Sequence, residues 1–190
     1  MFDCVTPAKL LYIKDFNLHK IMMLFLLRIS ASHHQVPRSD YQRKITLEFD
    51  KKGNKLFSYE DRIRTDSRNV VYVLDCLNDD DNGRVVAVNR NGRLRFTYNG
   101  MKIVGTFKPQ GIAIMPGDNI VVADPCNDTL HVMNSKGDLL ELQFIFKDLG
   151  IIRPYSLCFD TVGYLLIGCV HGENKNHGKI HFVKMAERLM

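Results

Sequence analysis

The segment Asn78-Asp-Asp-Asp-Asn82 is the one acidic concentration in this 190-residue chain, and it offers the oxygen ligands that calcium prefers. Consecutive residues on a loop point in different directions, and no glutamate follows at the distance that an EF-hand loop requires. The segment therefore indicates a solvated corner. The sequence predicts neither a metal site nor a cofactor.

The histidines form an equally incomplete constellation. His171 and His177 flank a loop rich in Gly and Asn, His181 falls within a strand-like run, and no fourth ligand completes a metal site. The sequence also lacks the Gly-x-Ser-x-Gly pattern of a nucleophile elbow. We therefore expect no catalytic residue, and we expect that the chain is not an enzyme.

The elements that would carry any site form a repeat. Glycine turns recur at Lys51-Lys-Gly-Asn54, Arg90-Asn-Gly-Arg93 and Ser135-Lys-Gly-Asp138. Alternating apolar runs flank each turn, which predicts one strand-turn-strand hairpin per unit. Further strands precede the two later hairpins, at residues 70–75 and 120–124. A last copy begins near residue 153 and has no convincing final strand.

Four short strands with a period of roughly 40–50 residues are typical of a β-propeller blade. The sequence predicts an all-β partial propeller of about three to three and a half four-stranded blades, with a β-sandwich as the alternative. The expected blades are residues 44–61 (partial), 62–100, 101–146 and 147–185. Residues 1–43 stay unassigned, as an early strand or a gene-model remnant. Propellers close with roughly 4–8 blades, so we expect a fragment whose ring needs missing blades or partner chains.

Particular residues resemble a known repeat. Ile120-Val-Val-Ala-Asp124, with Asn127 and Leu130-His-Val-Met133, is similar to the NHL repeat. Gly83-Arg-Val-Val-Ala-Val88 and Pro109-Gln-Gly-Ile-Ala113 resemble the form found at the C-terminus of tripartite-motif proteins. In that family a RING confers ubiquitin-ligase activity, and the propeller selects protein or RNA targets. The resemblance implies a recognition module of the ubiquitin pathway.

A propeller places the loops between blades and the loops between second and third strands on one face. We expect seven basic residues on the inter-blade loops to form a ligand-binding arc there: Arg62, Arg64, Arg68, Lys102, Lys108, Lys147 and Arg153. Clustered positive charge suits phosphates or an acidic protein, although Asp79, Asp80 and Asp81 share the face and oppose its field. A protein target is therefore expected. Single-stranded RNA is a second candidate, with Tyr72 or Phe107 for base stacking.

Two other functions stay open: a fragment of a metal-dependent propeller hydrolase or lactonase, and a truncated or degenerate product without independent activity.

The net charge of +5 arises entirely within residues 1–69. Five cysteines without a close pair predict thiols in a reducing, cytoplasmic compartment. The apolar run at residues 21–27 is shorter than the roughly 18–20 residues that span a membrane, so no membrane association is expected.

Overall fold

The computed structural model describes residues 46–77, 82–170 and 178–185, which form three antiparallel sheets. Sheet 1 contains β1 (Tyr59–Thr65), β2 (Val71–Cys76), β3 (Gly83–Val88) and β4 (Leu94–Tyr98) in that order. Sheet 2 contains β5 (Gly111–Ile114), β6 (Ile120–Asp124), β7 (Thr129–Met133) and β8 (Leu139–Phe144). The short helix α1 (Ile145–Leu149) leads to sheet 3, which contains β9 (Pro154–Phe159), β10 (Tyr164–Cys169) and β11 (Lys179–Lys184). Before β1, Phe49 and Lys55 form an isolated bridge within an N-terminal hairpin, residues 46–58.

The sheets stack face to face, and successive residues of one strand pack into the two apolar cores on opposite faces of its sheet. On β6, Val122 packs toward sheet 1 with Val85, whereas Val121 packs toward sheet 3 with Leu165. The other face of sheet 1 packs against Leu56 of the N-terminal hairpin. A strand covered on both faces must be apolar at consecutive positions, which explains the continuous apolar run of β6.

The first strands of the sheets, β1, β5 and β9, lie side by side. Blades that stack face to face with their first strands adjacent form a partial β-propeller. The predicted fold class is confirmed, and the β-sandwich alternative is wrong because three sheets stack in series. No helix among residues 46–77, 82–170 and 178–185 is long and apolar enough to cross a membrane.

One end of the sheets, here called the turn end, carries the turns between the first and second strands and between the third and fourth strands of each blade. The side chain of Asn134 accepts the backbone N–H groups of Lys136 and Asp138, at 2.9 and 3.0 Å. Gly137 then takes a left-handed φ of +93°, which glycine adopts without steric cost. The same side-chain capping occurs at Asp50, Asp66, Asn89 and Asp160. This local chemistry explains why the glycines mark the repeat.

The opposite end, here called the connector end, carries the connections between blades. At the end of β2, buried Asp75 accepts the N–H groups of Ser58 and Tyr59, at 2.7 and 2.8 Å, and binds Arg84 Nε at 2.7 Å. Asp124 occupies the corresponding place on β6 and accepts the backbone N–H of Lys108. Each aspartate therefore fixes the chain as it enters the blade.

The structure corrects the prediction in one segment. Residues 62–64 were expected in an inter-blade loop, but they lie within β1, which also crosses the expected blade boundary between residues 61 and 62. Charged residues dominate β1 because only part of this strand is covered. The strand therefore lacks the apolar alternation from which the other strands were predicted. Sheet 3 has three strands among the described residues. The expected early strand, Asp79, Asp80, Asp81, His171 and His177 lie outside the described residues.

Candidate recognition surface

Three segments lie next to one another at the connector end and form a continuous surface, here called the connector face: residues 99–110, 125–128 and 145–153. The side-chain amide of Asn127 donates to the carbonyl of Thr106 at 2.8 Å, which joins the first two segments. The backbone N–H of Arg153 donates to Asp128 Oδ1 at 2.6 Å and joins the second to the third. Val170 extends the face, because its N–H donates to the Arg153 carbonyl at 3.4 Å.

Large apolar side chains are exposed on this face. Ile103 is 86% exposed and Phe146 is 58% exposed. Further exposed members are Met101, Leu149, Ile152 and Val170. At the turn end, by contrast, the exposed large apolar residues within the five-residue turns of the described chain are Val162 and Tyr164. Because clustered exposed apolar groups mark interaction sites, the two ends of the sheets differ in what they can bind.

Four of the seven predicted basic residues lie on the connector face. Lys102 and Lys108 belong to the segment between β4 and β5, and Lys147 and Arg153 belong to the segment between β8 and β9. The Lys147 ammonium lies 5.6 Å from the centre of the Phe144 ring, a cation–π geometry. The face thus combines cations with apolar and aromatic groups.

The three arginines of the predicted arc lie elsewhere. Arg62 lies within β1 with its Nε 3.6 Å from Asp61, and exposed Arg64 donates to the carbonyl of its neighbour in the same strand. Arg68 lies in the first turn of sheet 1, at the turn end, where it binds Asp66 at 3.1 Å and Asp118 at 3.4 Å. The expectation of one arc was wrong in its geometry, because antiparallel strands carry the chain to the opposite end before residue 68.

The predicted stacking residues are also placed elsewhere. Tyr72 has no exposed surface, and its hydroxyl donates to Asp66 Oδ2 at 3.0 Å. Phe107 is 4% exposed. Both side chains belong to the core between sheets 1 and 2. The suggestion that either ring stacks on an unpaired base is therefore wrong.

A buried group of polar side chains, here called the polar cluster, underlies the connector face. The Tyr98 hydroxyl lies 2.7 Å from Nδ1 of His131, whose Nε2 lies 3.2 Å from Thr129 Oγ1. Asp124 Oδ2 accepts the Asn127 side-chain amide at 2.7 Å. Because Asn127 also binds the 99–110 segment, the polar cluster anchors the surface above it.

Burial controls the charges in the polar cluster. It lowers the pKa of His131 to about 4, so the ring is neutral near pH 7. The 3.8 Å approach of its Nε2 to Asp124 Oδ2 is therefore not an ion pair at that pH. Burial also raises the pKa of Asp124, against the lowering effect of the Asn127 hydrogen bond, and raises the pKa of Tyr98 to about 12. These groups are covered by protein, which indicates a positioning role.

Two cavities in the described part of the chain are small. A cavity of about 190 Å³ opens beside Asp61, Asp75 and Lys108, and another of about 90 Å³ opens beside Cys169 and His181. Drug-sized ligands occupy roughly 300–1,000 Å³. No group of three His, Cys, Asp or Glu side chains in the described part of the chain could hold a metal ion. An extended surface is therefore the better candidate site.

No protein-family model matches the chain, and no curated protein matches it. Similar solved structures include virginiamycin B lyase from Staphylococcus aureus, with 14% identity over 65% of this chain and 40% of that one and a TM-score of 0.45. A streptogramin B lyase shows 14% identity over 72% and 46%, with a TM-score of 0.47. A protein of unknown function from Bacteroides caccae shows 17% identity over 65% and 45%, with a TM-score of 0.42.

The chain therefore spans less than half the length of these structures, and the likeness concerns the fold alone. Two of these three similar structures are those of lyases, so the prediction that the chain is not an enzyme is withdrawn.

Sequence reasoning missed the apolar component of the connector face. The predicted surface included only the cations of the loops. It left out the apolar residues of the same loops, which are Ile103, Phe146, Leu149 and Ile152. Bulky apolar residues beside turn residues were the available signal, because chain that crosses a protein surface is usually polar. His131 gave no such signal, since a single polar residue inside a strand matches ordinary alternation.

Proposed function

We propose that this chain is a target-recognition propeller that binds a protein through its connector face. The observation that carries this proposal is the contrast between the two ends: a cluster of exposed large apolar side chains at the connector end, and mainly polar, side-chain-capped turns at the other. Protein interfaces combine an apolar centre with aromatic and arginine side chains, as the connector face does. The anchoring by Asn127 and Asp128 supports the same function, because pre-ordered loops lose less entropy on binding.

The finer proposal is an NHL-type propeller like that of tripartite-motif proteins, acting in the ubiquitin pathway in the cytoplasm. The residues from Ile120 to Met133 support it, because the Asp124 and Asn127 side chains of the resembling motif bind each other. A protein target is favoured over RNA, since Tyr72 and Phe107 are buried and Arg68 lies at the other end. Partner chains or further blades would complete the ring.

The test compares capture by matched surface variants of the full chain. The connector variant carries Ile103→Asp and Phe146→Asp, and the control carries Val162→Asp, whose side chain is 78% exposed at the turn end. Protein captured by cross-linking in cell extract should be lost from the connector variant by about tenfold or more and retained by the control. A fluorescent single-stranded RNA is titrated in parallel.

Equal capture by the connector variant and the wild type would refute recognition through this face. Salt-dependent RNA binding, together with loss of captured protein after ribonuclease treatment, would replace the protein target by RNA. Circular dichroism checks that all variants are folded.

A further inference from the structure

Strand β11 differs from the strands that occupy the same place in the other two sheets. The third strands of sheets 1 and 2, β3 and β7, are covered by β4 and β8, and β7 is buried along its whole length. On β11, Ile180 and Phe182 are each 66% exposed. Within residues 46–77, 82–170 and 178–185, no strand pairs with the outer edge of β11. Such an edge presents backbone N–H and C=O groups that can pair with a further strand.

The charges of sheet 3 restrict what can pair there. Its three strands carry two charged side chains, Lys179 and Lys184, at the two ends of β11. An antiparallel second copy of β11 would place Lys179 opposite Lys184, and like charges in opposed positions are destabilising. Acidic residues in those positions would be stabilising. The edge therefore favours an acidic strand over a second copy of itself.

We propose that the outer edge of β11 is a docking site for an extended segment of a protein partner, which adds to sheet 3 as its fourth strand. Strand β8 shows how such a segment pairs, since it is the fourth strand of sheet 2 beside β7 and its Leu139 packs against the core between sheets 1 and 2. The partner needs apolar residues at alternate positions over Ile180 and Phe182, and acidic residues five positions apart facing the two lysines. Backbone pairing supplies affinity, and the alternate side chains supply specificity.

A peptide derived from the chain itself provides the probe. The sequence Asp-Leu-Leu-Glu-Leu-Glu-Phe, which is residues 138–144 with Gln143→Glu, places its first and last acids five positions apart. A fluorescein-labelled peptide is titrated into the full chain by anisotropy, and hydrogen exchange follows the β11 amides that point away from β10. We expect saturable binding that weakens as salt is added, with protection of those amides. Combined Lys179→Glu and Lys184→Glu should weaken binding by roughly two- to fivefold per lysine.

Matched variants test whether the exposed apolar side chains of β11 contribute to peptide binding. Phe182→Asp should abolish binding, whereas Leu140→Asp should retain it, because exposed Leu140 lies in a sheet that already has four strands. If Phe182→Asp does not fold, the paired lysine reversal still decides the outcome.

Three results would overturn the proposal. The first is binding unaffected by both the Phe182 and the lysine variants. The second is slow exchange, before peptide is added, of the β11 amides that point away from β10, which would mean that another stretch of the chain already covers this edge. The third is a dimer, seen by light scattering, that Phe182→Asp dissociates, because a second copy would then be the occupant. None of these results depends on the connector face, so failure here leaves the proposed function standing.

Discussion

Acidification should destabilise this fold through His131 of the polar cluster. The ring has no exposed surface and makes hydrogen-bond contacts with Tyr98 and Thr129, at 2.7 and 3.2 Å. Burial lowers the pKa of His131 to about 4 from the ordinary value of 6.5. A protonated ring would be charged without water, and both its nitrogens would then be donors.

Stability falls on acidification because the folded and unfolded states differ in their affinity for the His131 proton. The unfolded chain, with a histidine pKa of 6.5, binds this proton more tightly than the folded chain. The contribution of neutral His131 to stability is therefore present above pH 6.5 and is lost as the pH falls toward 4. One pKa unit corresponds to about 1.4 kcal/mol, so the total loss from this group is about 3 kcal/mol.

Urea unfolding of the full chain, followed by circular dichroism from about pH 7.5 to about pH 4.5, measures the effect. The wild type should lose stability across this range more steeply than His131→Gln. The control His181→Gln should follow the wild type, because partly exposed His181 lies on the other side of sheet 2. Titrations of carboxylates remote from His131 are shared by all three proteins and cancel in the differences. Parallel curves for the wild type and His131→Gln would refute the reasoning.

Two further substitutions test the elements at each end. Asp124→Ala removes the acceptor of the Asn127 side-chain amide and of three backbone N–H groups, so the free energy of unfolding should fall by about 3–5 kcal/mol. Asp124→Asn keeps an acceptor oxygen and should cost less, and equal losses in urea melts would contradict this. Gly137→Ala would place a Cβ 2.6 Å from the Phe96 ring at φ +93°, and should lower the free energy of unfolding by about 3 kcal/mol. Gly53→Ala, at φ +82° in open space, should lower it by about 1–2 kcal/mol. Thermal unfolding that ranks the two variants the other way would refute the contact with Phe96.

Local chemistry made the repeat predictable. The turns around Gly92 and Gly137 are capped by the Asn three residues before each glycine, so a short stretch of sequence specifies the turn without help from the rest of the fold. The apolar run of β6 was equally informative, since burial on both faces leaves little room for polar residues. Together, these features show the period at which the hairpins repeat along the sequence, and that period predicts a propeller.

The candidate site was less predictable because its geometry depends on long-range pairing. Arg62 and Arg64 were assigned to a loop, and one missed strand, β1, moved Arg68 to the opposite end. The polar cluster joins Tyr98 of sheet 1 to His131 of sheet 2 across 33 residues, a contact that no periodicity encodes. Side-chain pairs of this kind become visible only when the stacking of the sheets is known.

The division of roles between the two ends follows from where each connection obtains its hydrogen bonds. A turn such as Asn89 to Arg93 caps itself, so its composition is fixed by its own geometry. The connectors are held from outside, by Asp124 at the end of β6 and by Asp128 in the following turn. A connector held at one or two backbone atoms need not use its other side chains to keep its position, as exposed Ile103 and Phe146 illustrate. Binding residues lie mostly on loops that a rigid scaffold positions, which is why we propose the connector end as the recognition surface.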